Sequence, residues 1–399
     1  MKTTPPSRRT LLVSMLSVAA ISFSFGCGDD TGTGASGGSG GGGAPAAGGG
    51  GQASVGGDGG SGGAGGAVDP LETAVRGHDW VKLPNGPTVS QGKQDDIFFL
   101  NKDKGFLASG PKGAIFSTED GGASWTQVFT SATTYFRAVL FTDELHGFAG
   151  NIGAGLAPSI SDINLMYETT DGGATWNPVT NITGSAAKGL CNFTAVDQDT
   201  IFGIGRANGP AHLLQSSDGG ANWVATDLST WLMMAIDGRF TSATDGLVVG
   251  MAPGAKCSVI RTTDGGATFN SVFTSATPGS LCWKIQFPSP DVGYVAILDT
   301  ANGSGTFAKT LDGGLTWQEF PLPTNGSPYT GIGVGFINEN IGWMAPEEPN
   351  EEVYRTFDGG MTWEVDPVLK APINRFRFVD ANTAYAVGGA VWKLDLSGN

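Results

Sequence analysis

Histidine and cysteine are scarce in this 399-residue chain, with three and four copies. His78, His146 and His212 lie far apart, so no pair is spaced to hold a metal or to activate a nucleophile. After Cys27 only Cys191, Cys257 and Cys282 remain, without C-x-x-C spacing, which is neither a zinc site nor a full disulfide framework. Basic residues are few as well: 22 Lys and Arg stand against 37 Asp and Glu, for a formal charge of −15. That balance argues against nucleic acid and against electrostatic adhesion to anionic lipid. Beyond the N-terminus no segment is long and apolar enough to span a membrane, which takes about 20 residues. Two glycine motifs carry no chemistry. Gly34-Ala35-Ser36-Gly37-Gly38 matches G-x-S-x-G inside low-complexity sequence, and Gly331-Ile332-Gly333-Val334-Gly335 leads into a strand where a dinucleotide loop needs a helix. Neither a cofactor nor a metal is expected.

What is present begins with MKTTPPSRRT, an apolar stretch of 15 residues, and Gly26-Cys27, the pattern of an export signal. Ser24-Phe25-Gly26-Cys27 resembles the lipobox of bacterial lipoproteins, which implies a signal over 1–26 and lipid on Cys27. Ser24 and Phe25 stand where leucine and a small residue are usual. Ser7-Arg8-Arg9 also fits twin-arginine export, so the route stays open between the two machineries. Removing Lys2, Arg8 and Arg9 with the signal takes the formal charge from −15 to −18. Residues 27–67 are so rich in Gly, Ala and Ser that they cannot bury enough apolar surface to order themselves. They read as a tether that holds something clear of a membrane. The location implied is the bacterial envelope, at the periplasmic face or the cell surface.

From 68 to 399 the chain repeats itself. "STEDGGASWTQV" begins at Ser117 and "ETTDGGATWNPV" at Glu168, with the phrase's aspartate at Asp120, Asp171, Asp218, Asp264, Asp312 and Asp358. Successive gaps are 51, 47, 46, 48 and 46 residues, and each phrase closes on an aromatic: Trp125, Trp176, Trp223, Phe269, Trp317 and Trp363. Alternating strands precede each phrase, as in "FRAVLFTDELHGFAG" from Phe136 and "FRFVDANTAYAVGG" from Phe376. Short strands with a period of 40–50 residues indicate propeller blades. Six full blades and a seventh from three strands over 373–396 are expected. The seventh lacks a strand, and Trp80–Leu83 is placed to supply it and close the ring. The fold class is therefore all-β, a seven-bladed β-propeller.

The phrases resemble the Asp-box, or BNR, repeat, in which the motif is the hairpin between the third and fourth strands of a blade. The aspartate then braces its own turn and the aromatic packs in the seam between blades. Six carboxylates on six separate hairpins are too far apart to share an ion. The combined pattern is most similar to the photosystem II stability/assembly factor family. That resemblance implies a non-catalytic, monomeric propeller that binds a protein partner, partly through arginines near its centre. The acidic charge and the glycine tether depart from the family pattern.

Function is then expected on variable loops or in the channel. The loops between second and third strands range from Gly110-Pro111-Lys112-Gly113 to Asn151–Asn164 and the acidic Glu347–Glu352, the last a solvated loop or a cation site. Aligning innermost strands on Phe99, Phe141, Ala195, Phe240, Phe287, Phe336 and Phe378 puts polar residues three and one positions earlier. Arg239, Lys284, Arg375 and Arg377, with Arg137, form the candidate binding set; the alternative is charges that solvate a water-filled channel. A rival reading, a glycan-binding or glycoside-hydrolysing propeller (sialidase-like or other), would use Trp231 and Tyr329 as sugar platforms. Asp95, Asp96, Asp162, Asp237 and Asp299 would then be its carboxylates. No pair of these is marked by spacing, and the sialidase Arg-Ile-Pro segment has no match. In an oxidising compartment Cys257 and Cys282, from neighbouring blades, either form a disulfide that leaves Cys191 free, or all three stay thiols.

Overall fold

In the computed structural model the described residues are 69–88, 93–110, 113–299, 303, 305–324 and 329–397. The expected signal at 1–26, Cys27, the expected tether at 27–67 and the Pro111-Lys112 tip lie outside them.

Period-two alternation builds seven antiparallel sheets, arranged as the blades of a β-propeller. Blade one runs Gln94–Phe99, Gly105–Ser109, Ala114–Thr118 and Thr126–Thr130 from the axis outward. The innermost strands of blades two to six are Phe136–Phe141, Asn192–Ala195, Met234–Phe240, Ser280–Gln286 and Gly331–Phe336. Blade seven combines Ile373–Phe378, Thr383–Gly388 and Val391–Asp395 with an outer strand from the other end of the described chain, Val81–Lys82. Val81 faces Lys393 and Lys82 faces Trp392 in antiparallel register. The closing strand is thus shorter than Trp80–Leu83, although Leu83 N still donates to Val391 O at 2.9 Å.

Two elements go beyond four strands per blade. Ile182–Gly184 adds a fifth strand, parallel to Trp223–Asp227 at the outer edge of blade three. A helix, Pro70–Gly77, precedes the closing strand. Asp69 caps it by accepting from Leu71 N at 2.9 Å, and Pro70 supplies a first-turn φ. Val75 is buried, while Arg76 reaches Glu364 at 2.9 Å and covers the Phe357 ring at 3.8 Å. Beside it Trp80 packs edge-on to Trp343 at 5.5 Å and to Phe376 at 5.8 Å.

Each Asp-Gly-Gly phrase is the hairpin between a third and a fourth strand. In the first, Asp120 Oδ1 accepts from Ser124 N at 2.9 Å and from Thr118 Oγ1 at 2.8 Å. The Thr118 hydroxyl oxygen accepts Gly122 N at 2.9 Å, and Trp125 Nε1 donates to Gly122 O at 3.1 Å. Both glycines have positive φ, +72° and +88° in the second copy, where a Cβ on Gly173 would also lie 2.5 Å from the Phe106 ring of the previous blade. Only glycine fits that position.

Aromatic residues fill the seams. Anchor phenylalanines stack on second-strand rings of the preceding blade: Phe141 on Phe106 at 3.9 Å, Phe240 on Phe202 at 3.6 Å, Phe336 on Tyr294 at 3.6 Å, and Phe99 on Tyr385 at 3.9 Å. The closing aromatics of the hairpins meet these anchors edge-on, as Trp176 does Phe141 at 5.9 Å and Trp363 does Phe336 at 6.1 Å.

Candidate functional site

Six of the seven innermost strands carry a register shift at the same place. The residue skipped is Asp95, Arg137, Ile236, Trp283, Ile332 or Asn374, four before the anchor position. A bulge leaves its extra residue out of the ladder and re-aims it. These side chains form a buried layer across the channel, near the face that carries the loops between second and third strands. Trp283 donates to Asn374 Oδ1 at 2.9 Å, and Arg137 and Lys93 stand 5.1 and 5.0 Å from the Trp283 ring centroid. Arg137 pairs with Asp95 at 3.1 Å, with both side chains almost fully buried. Burial pushes Asp95 above the usual carboxylate range even beside that cation.

One step along the strands lies the ionic layer. Arg375 Nη1 binds Asp237 Oδ2 at 2.9 Å, its Nη2 binds Asn192 Oδ1 at 3.0 Å, and its Nε stands 3.2 Å from Asp96. Arg377 Nη2 reaches Asp96 Oδ1 at 3.0 Å and its Nε donates to Ile97 O at 3.0 Å. Burial raises Asp96, but the charges of Arg377 and Arg375 more than offset this and hold it below its ordinary pKa. For Arg375, burial is likewise outweighed by Asp237 and Asp96, which raise it.

These polar residues tie each blade to the next. Asp96 accepts Val139 N at 3.2 Å, Asn192 donates to Gly238 O at 3.3 Å, and Asp237 accepts Ile285 N at 3.4 Å. Gln286 donates to Phe336 O at 3.1 Å and accepts Phe336 N at 3.2 Å. Across the closing seam Arg377 of blade seven donates to Ile97 O and to Asp96 of blade one.

The candidate set therefore separates. Arg137, Lys284 and Arg375 are buried, at 4, 1 and 7% exposure, and are not free surface charges. Nor do they solvate an open channel, because Arg137 and Arg375 sit in ion pairs and Trp283 is packed among them. Arg377 keeps a third of its side chain exposed. Arg239 is half-buried over the Phe287 ring at 4.3 Å, and burial lowers its pKa. It lines a cleft of about 320 Å³ between blades four and five with Asp245 and Arg261, which pair at 2.7 Å.

Tyr329 is not a sugar platform: it is 2% exposed and packs on Tyr354. Trp231 is half-buried against Phe269 at 5.5 Å. Of the carboxylates, Asp95, Asp96 and Asp237 are spent on the pairs above. Asp162 accepts from Thr134, Asn164 and Tyr167 at 2.6–2.9 Å, and Asp299 is 1% exposed. In the acidic loop Glu347 pairs with Lys93 at 2.9 Å and Glu351 accepts from Thr330 N at 2.6 Å, which uses two of its carboxylates internally. Among the described residues no group of three His, Cys, Asp or Glu is arranged to hold a metal. Cys257 and Cys282 form a disulfide with Cα atoms 4.6 Å apart, linking blades four and five, while Cys191 is buried and free.

Trp283 and Asn374 went unnoticed at the sequence level because a strict period of two turns them away from the channel. The signal available was the row of residues four before each anchor, where Asp95, Arg137 and Asn374 are out of place on a packed face.

No family model matches the chain. It is 27% identical over 288 residues to the photosystem II assembly lipoprotein Ycf48 of Synechococcus sp. (strain CC9902), covering 63% of this chain and 81% of that protein. Among solved structures it is similar to YCF48 bound to D1 peptide, with TM-score 0.56 and 18% identity over 80% of this chain and 94% of that one. It is also similar to the GH74 xyloglucanase from Xanthomonas campestris, with TM-score 0.59 and 14% identity over 80% of this chain and 54% of the enzyme. Those two likenesses speak for the fold alone. The chain is a seven-bladed β-propeller whose sequence and fold are similar to those of Ycf48.

Proposed function

We propose that this chain is a non-catalytic envelope lipoprotein whose propeller binds a segment of a protein partner and serves as an assembly or scaffold factor. The observation that carries the reading is the match in sequence to most of Ycf48, a protein named for assembly. In this reading the chain is exported and anchored by lipid on Cys27. Residues 27–67 give it reach, the Asp-Gly-Gly phrases are Asp-box braces, and the propeller works as a monomer. Partner contact falls to Arg239 and Arg377, the two arginines of the candidate set with side chains open to solvent. Both stand one residue before an anchor, at the hairpin end of the innermost strands, where a partner's carboxylates would meet them.

The placement of carboxylates supports binding over hydrolysis. A glycosidase needs two carboxyl groups facing each other across a cleft, and Asp95, Asp96 and Asp237 instead hold blades together. Purified protein assayed on a panel of glycans and chromogenic glycosides is expected to give no turnover. Hydrolysis that disappears in one of Asp162→Asn, Asp237→Asn or Asp299→Asn, with the variant still folded, overturns the reading.

A further inference from the structure

Lys284 belongs to the ionic layer but has no partner in it. Its ammonium is 1% exposed, and Nζ has no hydrogen-bond acceptor among the described residues. The natural counter-ion, Asp237, is turned to Arg375 and to the amides of Gly238 and Ile285. Arg137, also buried, leaves Nε and Nη2 without acceptors after pairing through Nη1 with Asp95. The charge count agrees with the geometry. Arg137 is balanced by Asp95, and Arg375 with Arg377 by Asp96 with Asp237, which leaves Lys284 as a surplus positive charge.

An isolated buried ammonium is costly unless it is neutralised or paired. Water satisfies donors but brings no charge. We propose that the propeller channel holds a small monovalent inorganic anion, of chloride size, bound by Lys284 Nζ with the free donors of Arg137. The ligand is small because Trp283 and the Arg137–Asp95 pair close the layer above it. A carboxylate-bearing segment of a partner does not fit among groups so deeply buried.

The charged groups that act on Lys284 set its pH dependence. Burial, Arg375 and Arg137 lower it, Asp237 and Asp96 raise it, and the net result is about 7. A lysine lowered in the folded state charges less readily than in the unfolded chain, so its penalty is fully present below about pH 7 and fades as pH rises toward the ordinary lysine value. An anion offsets that penalty only on the acid side.

The test is the melting temperature of the purified protein in sodium chloride or bromide against sodium gluconate at equal ionic strength, near pH 6 and near pH 9. Gluconate is too large for the layer. Halide is expected to raise the wild-type midpoint by about 2 °C or more near pH 6, by less near pH 9, and not at all in Lys284→Met. Equal midpoints in the two salts, or a halide effect that survives in Lys284→Met, overturn the proposal. Should that variant fail to fold, anomalous scattering from wild-type crystals soaked in bromide decides the matter. A bromide peak beside Nζ upholds the site, and its absence there removes it.

Discussion

Asp237 gathers Gly238 N at 2.9 Å, Arg375 Nη1 at 2.9 Å and Ile285 N at 3.4 Å, and so joins two strands and a cation with one buried carboxylate. Arg375 is the matching hub on the cationic side. Arg375→Met leaves Asp237 without its charge partner and Asp96 with only Arg377. Removing one member of a buried pair costs about 3–5 kcal/mol, read as a fall in the denaturant midpoint; an unchanged midpoint contradicts the assigned role. The hairpin aspartates act differently, at the surface. Side-chain and backbone donors of Ser124 or Thr175, then Thr118 or Thr169, hold Asp120 and Asp171 down at about 2, and Thr268 and Thr262 do the same for Asp264. Carboxyls lowered in the folded state contribute stability that is complete above the ordinary value of 3.8 and lost as pH falls toward 2. Acid titration of stability is expected to steepen in that window. Replacing three of the six aspartates by asparagine is expected to flatten it, and an unchanged slope contradicts the bracing role. These aspartates were legible in the sequence because each phrase carries its own donors within four residues. The partners of Arg375 (Asp237, Asn192 and Asp96) were not, since they lie far off in the chain, 138 and 183 positions away for the first two.

Among the elements, the closing blade is the most exposed to failure. Its outer strand holds only Val81 and Lys82, too little ladder to bind the ring by itself. The remainder of the clasp is Trp80, buried with Trp343, Phe376 and Val75 of the helix. Trp80→Ala removes that anchor and is expected to cost about 3–5 kcal/mol, seen as a lower midpoint together with faster proteolysis near the Asp69–Leu83 segment. A drop no larger than that of an exposed valine change such as Val81→Ala contradicts it. His78-Asp79-Trp80 hinted at the closing strand because it copies the end of a repeat phrase. The helix before it was not expected within 68–399, although Asp69-Pro70 offers a cap and a first-turn proline. The bulges left a fainter mark, because each shifts the alternation by only one residue, and polar Asp95, Arg137 and Asn374 four places before the anchors were the sign of it.

For the whole molecule, buried arginines and aspartates tie the blades of the ring together, and Arg377 joins them through Asp96. The proposal adds a second duty for Arg239 and Arg377, which keep part of their side chains exposed, namely contact with a partner. The measurement that tests this most directly is affinity capture from envelope extracts of the source cells, with wild type and Arg239→Glu/Arg377→Glu compared by quantitative mass spectrometry. Arg377 also pairs with buried Asp96, so the variant is expected to melt below wild type, and capture is compared at a temperature where circular dichroism shows both proteins folded. The account predicts that a discrete set of proteins is enriched on wild type and reduced at least about tenfold on the variant, as expected when two cation contacts become repulsive. An identical set captured equally by both proteins would contradict it.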